Sequence, residues 1–169
     1  GLPQTEWYVQ SVCEQMQWPL IIASPFTTYA MLCVKHGFMG PGMHATAYQF
    51  LKDRPLQAWL KTIPKQAGHK RKLIGLSAGV RATESTRRMG HSEAIRIEGQ
   101  RLWINPIHNW SAMDVALYRK RYGLPRSEVK DKIHISGECF CGAFAAPNER
   151  RDLEYWFPEF AAELDKYEA

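Results

Sequence analysis

The sequence predicts an α/β fold built on a parallel sheet, and three observations carry that expectation. The run 73–80, Leu-Ile-Gly-Leu-Ser-Ala-Gly-Val, is apolar and bounded by Lys72 and Arg81, as expected of a central parallel strand covered on both faces. Segments before and after it repeat apolar residues at spacings of three and four, the stripe of an amphipathic helix. The resulting order, helix, strand, helices, strand, helices, is the alternation that produces a sheet with helices packed on it.

Taken in order, Tyr8, Val9, Val12, Cys13 and Met16 predict a helix over 5–17, stopped at Trp18-Pro19. Leu20, Ile21 and Ile22 form a short β-rich run ended by Ser24-Pro25 and predict a buried strand. Residues 29–36 read as a helix closed by Gly37, and Gly40-Pro41-Gly42 as a turn before a helix over 43–52 that Arg54-Pro55 breaks. A further helix spans 56–63 and ends at Pro64, with a basic loop over 65–72. Beyond the central run, 95–98 and 102–104 flank Gly99 as a hairpin, which Asn105-Pro106 closes. Ser111, with Asp114 three residues later, begins a helix bearing Val115, Tyr118 and Tyr122, stopped by Gly123 and Pro125. Pro147-Asn148-Glu149 reads as a second strong cap, followed by two helical pieces separated at Pro158.

With 169 residues, 45% of them hydrophobic and spread along the chain, one domain over 1–169 is expected. No apolar run approaches the roughly 18 residues of a membrane span, and the opening Gly-Leu-Pro-Gln is not a signal peptide, so the expectation is a soluble, cytoplasmic protein. Four cysteines are too few for a disulfide scaffold and read as reduced thiols. The formal net charge of +5 fits an anionic partner, a nucleotide, a sulfate ester or a nucleic acid, and equally a merely basic surface.

Chemistry concentrates in Gly79-Val80-Arg81-Ala82-Thr83-Glu84-Ser85-Thr86-Arg87-Arg88, where three arginines and a carboxylate leave the C-terminal end of the central run. In open α/β sheets ligands bind at that edge. The planar guanidinium fork of Arg81, Arg87 or Arg88 matches phosphate and sulfate oxygens, and Ser85 would cap a following helix whose N–H groups face the same anion. The competing reading is a solvated loop with an Arg–Glu surface pair.

This run resembles the Gly-(Ile/Val)-Arg-x-x-(Asp/Glu)-Ser-x-x-Arg motif of the phosphoadenosine-phosphosulfate (PAPS) reductase family. Downstream, Asn105-Pro106-Ile107-His108-Asn109-Trp110-Ser111-Ala112-Met113-Asp114-Val115 is similar to the family's Asn-Pro-(two apolar)-x-Trp-(Ser/Thr)-x-x-Asp-Val block, and Tyr122-Gly123-Leu124-Pro125 to its continuation. Gly1-Leu2-Pro3-Gln4-Thr5 and Lys35-His36-Gly37-Phe38-Met39-Gly40-Pro41 resemble two earlier segments. The resemblance implies the adenine nucleotide alpha-hydrolase-like (HUP) fold, incomplete at its N-terminus. It implies an adenine nucleotide or sulfonucleotide as ligand, held by Arg81, Arg87 and Arg88, with Glu84 orienting an arginine, Ser85 at the helix start and His108 and Trp110 as a pocket wall. It implies reductive release of sulfite from PAPS with a thioredoxin-type dithiol donor.

Two departures stand out. The family's Ser-Gly-Gly-x-Asp-Ser phosphate loop is not in this sequence, which has no Gly-Gly pair; that loop upstream of Gly1 would keep the enzyme readings, and a start near Gly1 would favour an inactive module. The family's C-terminal Glu-Cys-Gly-Leu-His segment is also missing, since no cysteine follows Cys141.

Cys139 and Cys141 therefore become the candidate catalytic thiols. Three readings are open for them. They supply part of a zinc or iron–sulfur site with His134, Cys13 or Cys33; one of them is a sulfur nucleophile with a lowered pKa; or both are packing residues. Two further functions stay open. One is an ATP-dependent sulfurtransferase acting on DNA or tRNA. The other is an inactive binding module that kept the fold without its phosphate loop. His36 and His44 bracket the Gly-rich turn, while Trp103, Trp110, Trp156 and Tyr118 would stack bases or pack in a core.

Overall fold

A computed structural model describes residues 1–65, 67–68, 72–84, 92–135, 145 and 147–168. The chain divides into two compact units, Gly1–Lys61 with Arg126–Ala169, and Thr62–Pro125. Among the described residues, no helix is long and apolar enough to cross a membrane.

The described part of the first unit is helical. Helix α1 (Pro3–Gln15) opens with Pro3 in its first turn, where the missing N–H costs nothing. It ends where Gln17 takes a left-handed backbone (φ 55°) and Trp18 N–H donates to Cys13 O at 2.8 Å. Helix α2 (Tyr29–His36) is capped by Thr28, whose side chain accepts from Met31 N, and Gly37 closes it with φ 77°. A 3₁₀ turn at Pro41–Met43 leads into α3 (His44–Tyr48), a π turn at Gln49–Asp53 and α4 (Arg54–Thr62).

The helix expected to break at Arg54-Pro55 thus runs on through it. A proline lacks the N–H of an α-helical bond and its ring collides with the carbonyl four residues back. The wider i→i+5 turn just before Pro55 relieves that collision, so the proline is accommodated and buried. The strand expected at Leu20–Ile22 is not formed either, and Ile21 and Ile22 are both exposed. A strand needs a neighbour for its N–H and C=O groups, and the described residues of this unit hold none.

Helix α6 (Glu128–Ile133) follows a Ser127 cap that the sequence reading missed. Helices α7 (Glu149–Trp156) and α8 (Pro158–Glu168) meet at Pro158 as expected. The expected Asn148 cap is corrected: its backbone is already helical (φ −101°, ψ −4°) and its side chain makes no capping bond. A capping oxygen reaches the first-turn N–H groups from an extended backbone, which Asn148 lacks.

Leu2, Val129, Ile133, Leu153, Phe157, Ala161 and Leu164 make one buried cluster, drawing α1, α6, α7 and α8 together. Leu32, Met39 and Ala47 make a second, around α2 and α3. Tyr29 packs edge-on against Phe38 (6.3 Å) and Tyr167 (5.7 Å), joining α2 to α8.

The second unit carries the sheet. Strands β1 (Ile74–Ser77), β2 (Ile95–Glu98) and β3 (Arg101–Ile104) lie in the order β1-β3-β2, with β1 parallel to β3 and β2 antiparallel to it. The expectation of a central strand at 73–80 is corrected on two counts. Among the described residues β1 is an edge strand, and its residues alternate between half-buried and exposed rather than being covered on both sides. An apolar run measures how much surface a strand offers, not how many strands pair with it.

The hairpin falls where it was expected, through the loop Gly99-Gln100 with Gly99 at φ 61°. A two-residue hairpin loop with glycine first matches the twist of its strands. Helix α5 (Ala112–Tyr122) completes the unit with a full capping box. Ser111 accepts from Asp114 N at 3.1 Å, and Asp114 accepts from Ser111 N at 2.8 Å. Gly123 ends it in the left-handed region.

Candidate anion-binding turn

β1 and β3 run parallel with Ser77 paired to Ile104, so both end at the same edge of the sheet. Ala78 N–H extends the ladder one step, donating to Ile104 O at 3.0 Å. From there two loops leave the edge side by side, 78–84 after β1 and 105–111 after β3.

They are tied together by main-chain atoms. Ala82 N–H donates to His108 O at 2.9 Å, and the Thr83 hydroxyl donates to Trp110 O at 3.3 Å. Gly79 lies close to Ile107, where an added Cβ would sit 3.8 Å from Cδ1, in ordinary contact. A 3₁₀ turn at Ala82–Glu84, with Glu84 N–H donating to Arg81 O at 3.3 Å, then holds the backbone around Arg81.

The second loop is braced from behind. Asn105 N–H donates to Ala94 O at 2.8 Å and its side-chain amide donates to Glu93 O at 2.7 Å. His108 places Nε2 at 3.0 Å from Ser92 O and 3.1 Å from Ser92 Oγ, and Nδ1 at 3.0 Å from Asn109 Oδ1. His108, which the resemblance placed with Trp110 in a pocket wall, is thus a fastener of the loop. Its partner Ser92 has no spacing relation that would have drawn attention to it.

The expected site residues distribute as follows. Arg81 is half-buried at the start of the turn, and its guanidinium forms no ion pair among the described residues; Glu84 is exposed at the end of the turn, and Trp110 is half-buried on the neighbouring loop. These three belong to one sheet edge. Ser85, Arg87 and Arg88 lie outside the described residues, as do Cys139 and Cys141.

His134, offered as a metal ligand, is an exposed C-cap of α6 in the first unit, with left-handed φ of 60° and its N–H donating to Lys130 O. Cys33 is buried and Cys13 half-buried. Among the described residues, no three His, Cys, Asp or Glu side chains come close enough together to hold a metal ion.

The unit is thus a mixed α/β fold with parallel strands ending at a doubly looped edge. In backbone the chain is similar to a solved phosphoadenylyl-sulfate (PAPS) reductase, the Candida auris enzyme in a phosphate complex, at TM-score 0.54 and 24% sequence identity. The similarity covers 77% of this chain and 60% of that one, so this chain spans about three-fifths of the solved structure's length. At this identity the likeness is one of fold. No family model matches the sequence, and no curated protein does.

Proposed function

We propose that the turn beginning at Arg81 binds the anionic end of an adenine nucleotide or sulfonucleotide, and that the complete protein carries out PAPS-reductase-type sulfur chemistry. The observation that carries this reading is the pair of main-chain ties, Ala82 to His108 and Thr83 to Trp110. They bring the two motif segments to one edge at the ends of parallel β1 and β3. Ligands of open α/β sheets collect at such an edge.

In this reading Arg81, Arg87 and Arg88 grip the phosphosulfate, Glu84 orients an arginine, Ser85 opens the following helix and Trp110 walls the pocket. The thiolate of Cys139 or Cys141 attacks the sulfonucleotide sulfur. An S–S bond forms as the S–O bond breaks, and adenosine bisphosphate leaves. A dithiol of the thioredoxin type then displaces sulfite and is left as the disulfide, so two electrons pass from thiols to sulfur. The sheet is the C-terminal part of a HUP sheet within a single domain. β1 agrees with this, because its outer side, open among the described residues, can pair with another parallel strand.

The test is a calorimetric titration of the chain with adenosine 3′,5′-bisphosphate and with pyrophosphate at low salt. Arg81→Ala should weaken binding by roughly 1.5–3 kcal/mol, the scale of charge-assisted hydrogen bonds. Arg81→Lys should recover only part of it, because an ammonium lacks the guanidinium fork. Equal affinity in wild type and Arg81→Ala overturns the assignment.

A further inference from the structure

We infer that the aromatic face of α5 is a stacking platform for the bases of a single-stranded nucleic acid. The rings of Trp110, Tyr118 and Tyr122 follow one another, with centroids 5.1 Å apart for the first pair and 4.5 Å for the second. Core packing would bury such a row, but here Tyr118 is 44% and Tyr122 55% exposed, and α5 has no buried residue at all. Tyr118 and Tyr122 are one helical turn apart and so share a face.

That face is cationic as well as aromatic. Arg121, three residues after Tyr118, places its guanidinium carbon 5.6 Å from the Tyr122 ring centroid. The last turn holds three consecutive cations, Arg119, Lys120 and Arg121, and Arg119 Nη2 donates to Pro125 O at 3.0 Å at the helix end. The only acidic residue of the helix, Asp114, is engaged in the cap at the opposite end. Protein interfaces enrich tyrosine, tryptophan and arginine but deplete lysine, whereas exposed rings beside Arg119, Lys120 and Arg121, with no acid in that turn, suit a chain that alternates π-faces with phosphates.

The inference stands on α5 and Trp110 and does not depend on the arginine turn. The experiment is a tryptophan-fluorescence titration of the full chain with homopyrimidine DNA and RNA strands of about a dozen nucleotides, and with duplex DNA. Single strands should bind more tightly than duplex, and the ratio of DNA to RNA affinity identifies the sugar preferred. Tyr118→Ala and Tyr122→Ala should each weaken binding about 5- to 100-fold, while Tyr118→Phe binds like wild type, because stacking needs the ring and not the hydroxyl. Arg121→Gln should lower the slope of log affinity against log salt by about one. Unfolding midpoints confirm that the variants fold. The inference is overturned if no strand binds, or if the alanine variants bind as tightly as wild type. It is equally overturned if sedimentation shows that the tyrosines hold a dimer that ignores nucleic acid.

Discussion

Ala82 N–H donates to the carbonyl oxygen of His108 at 2.9 Å, joining two loops whose residues lie far apart in sequence. The bond uses main-chain atoms only, so side-chain truncation would leave it intact. Ala82→Pro removes the donor and should destabilise the protein by about 1–3 kcal/mol in urea unfolding, the cost of leaving an acceptor without its partner. Ala82→Gly keeps the N–H and should lose only about 0.5–1 kcal/mol, from backbone entropy. Equal losses for the two variants would show that the tie adds nothing.

Gly37 and Gly99 separate conformational from steric cost, because a Cβ on either would meet nothing within 4 Å. Gly99, at φ 61°, lies where an L-residue loses about 1–2 kcal/mol, so Gly99→Ala should cost about that much. Gly37 has φ 77° and ψ 176°, a region essentially reserved for glycine, and Gly37→Ala should cost more, up to about 3 kcal/mol. Thermal or denaturant midpoints give the order, and a reversed order would mean that α2 ends differently in solution.

The carboxyl of Asp114 is held below its ordinary range, first by the Ser111 hydroxyl and then by the Ser111 backbone N–H. A group whose folded pKa is depressed adds stability above its unfolded value, and that stability is lost as pH falls through the folded value. Asp114→Asn should therefore lower the unfolding midpoint at pH 6. The gap to wild type should shrink as the pH drops below about 4, the ordinary carboxylate range. A gap that stays constant from pH 6 to the acid limit would remove Asp114 ionisation from the cap.

Thiol reactivity distinguishes the roles left open for Cys139 and Cys141. If one is the sulfur nucleophile, it should be alkylated near neutral pH faster than a model thiol, since the thiolate is the reactive form. Cys33, buried, should react slowly by comparison. Mass spectrometry of the folded chain after timed alkylation reads this directly. Slow modification of both residues in metal-free protein would leave them a packing role.

What the sequence determined by itself is local. The helix over 29–36 and its closing glycine, the Gly99 hairpin and the Ser111–Asp114 capping box all depend on neighbours within a few residues, and all three stand in the structure. So does the α5 stop at Gly123. Tertiary structure decided whatever depends on a distant partner. The Leu20–Ile22 run has strand chemistry but no ladder, because pairing is a property of two segments. The run at 73–80 became a half-covered edge strand, because apolar content does not fix the number of neighbours. Pro55 did not break its helix, because a π turn removed the collision on which the rule depends. The candidate site divides in the same way. Motif spacing pointed to Arg81, Glu84 and Trp110, but only the parallel register of β1 and β3 put them at one edge. The resemblance placed His108 with Trp110 in a pocket wall, but its fastening contacts, its carbonyl to Ala82 and its imidazole to Ser92, were not legible in sequence because neither exists until the chain has folded.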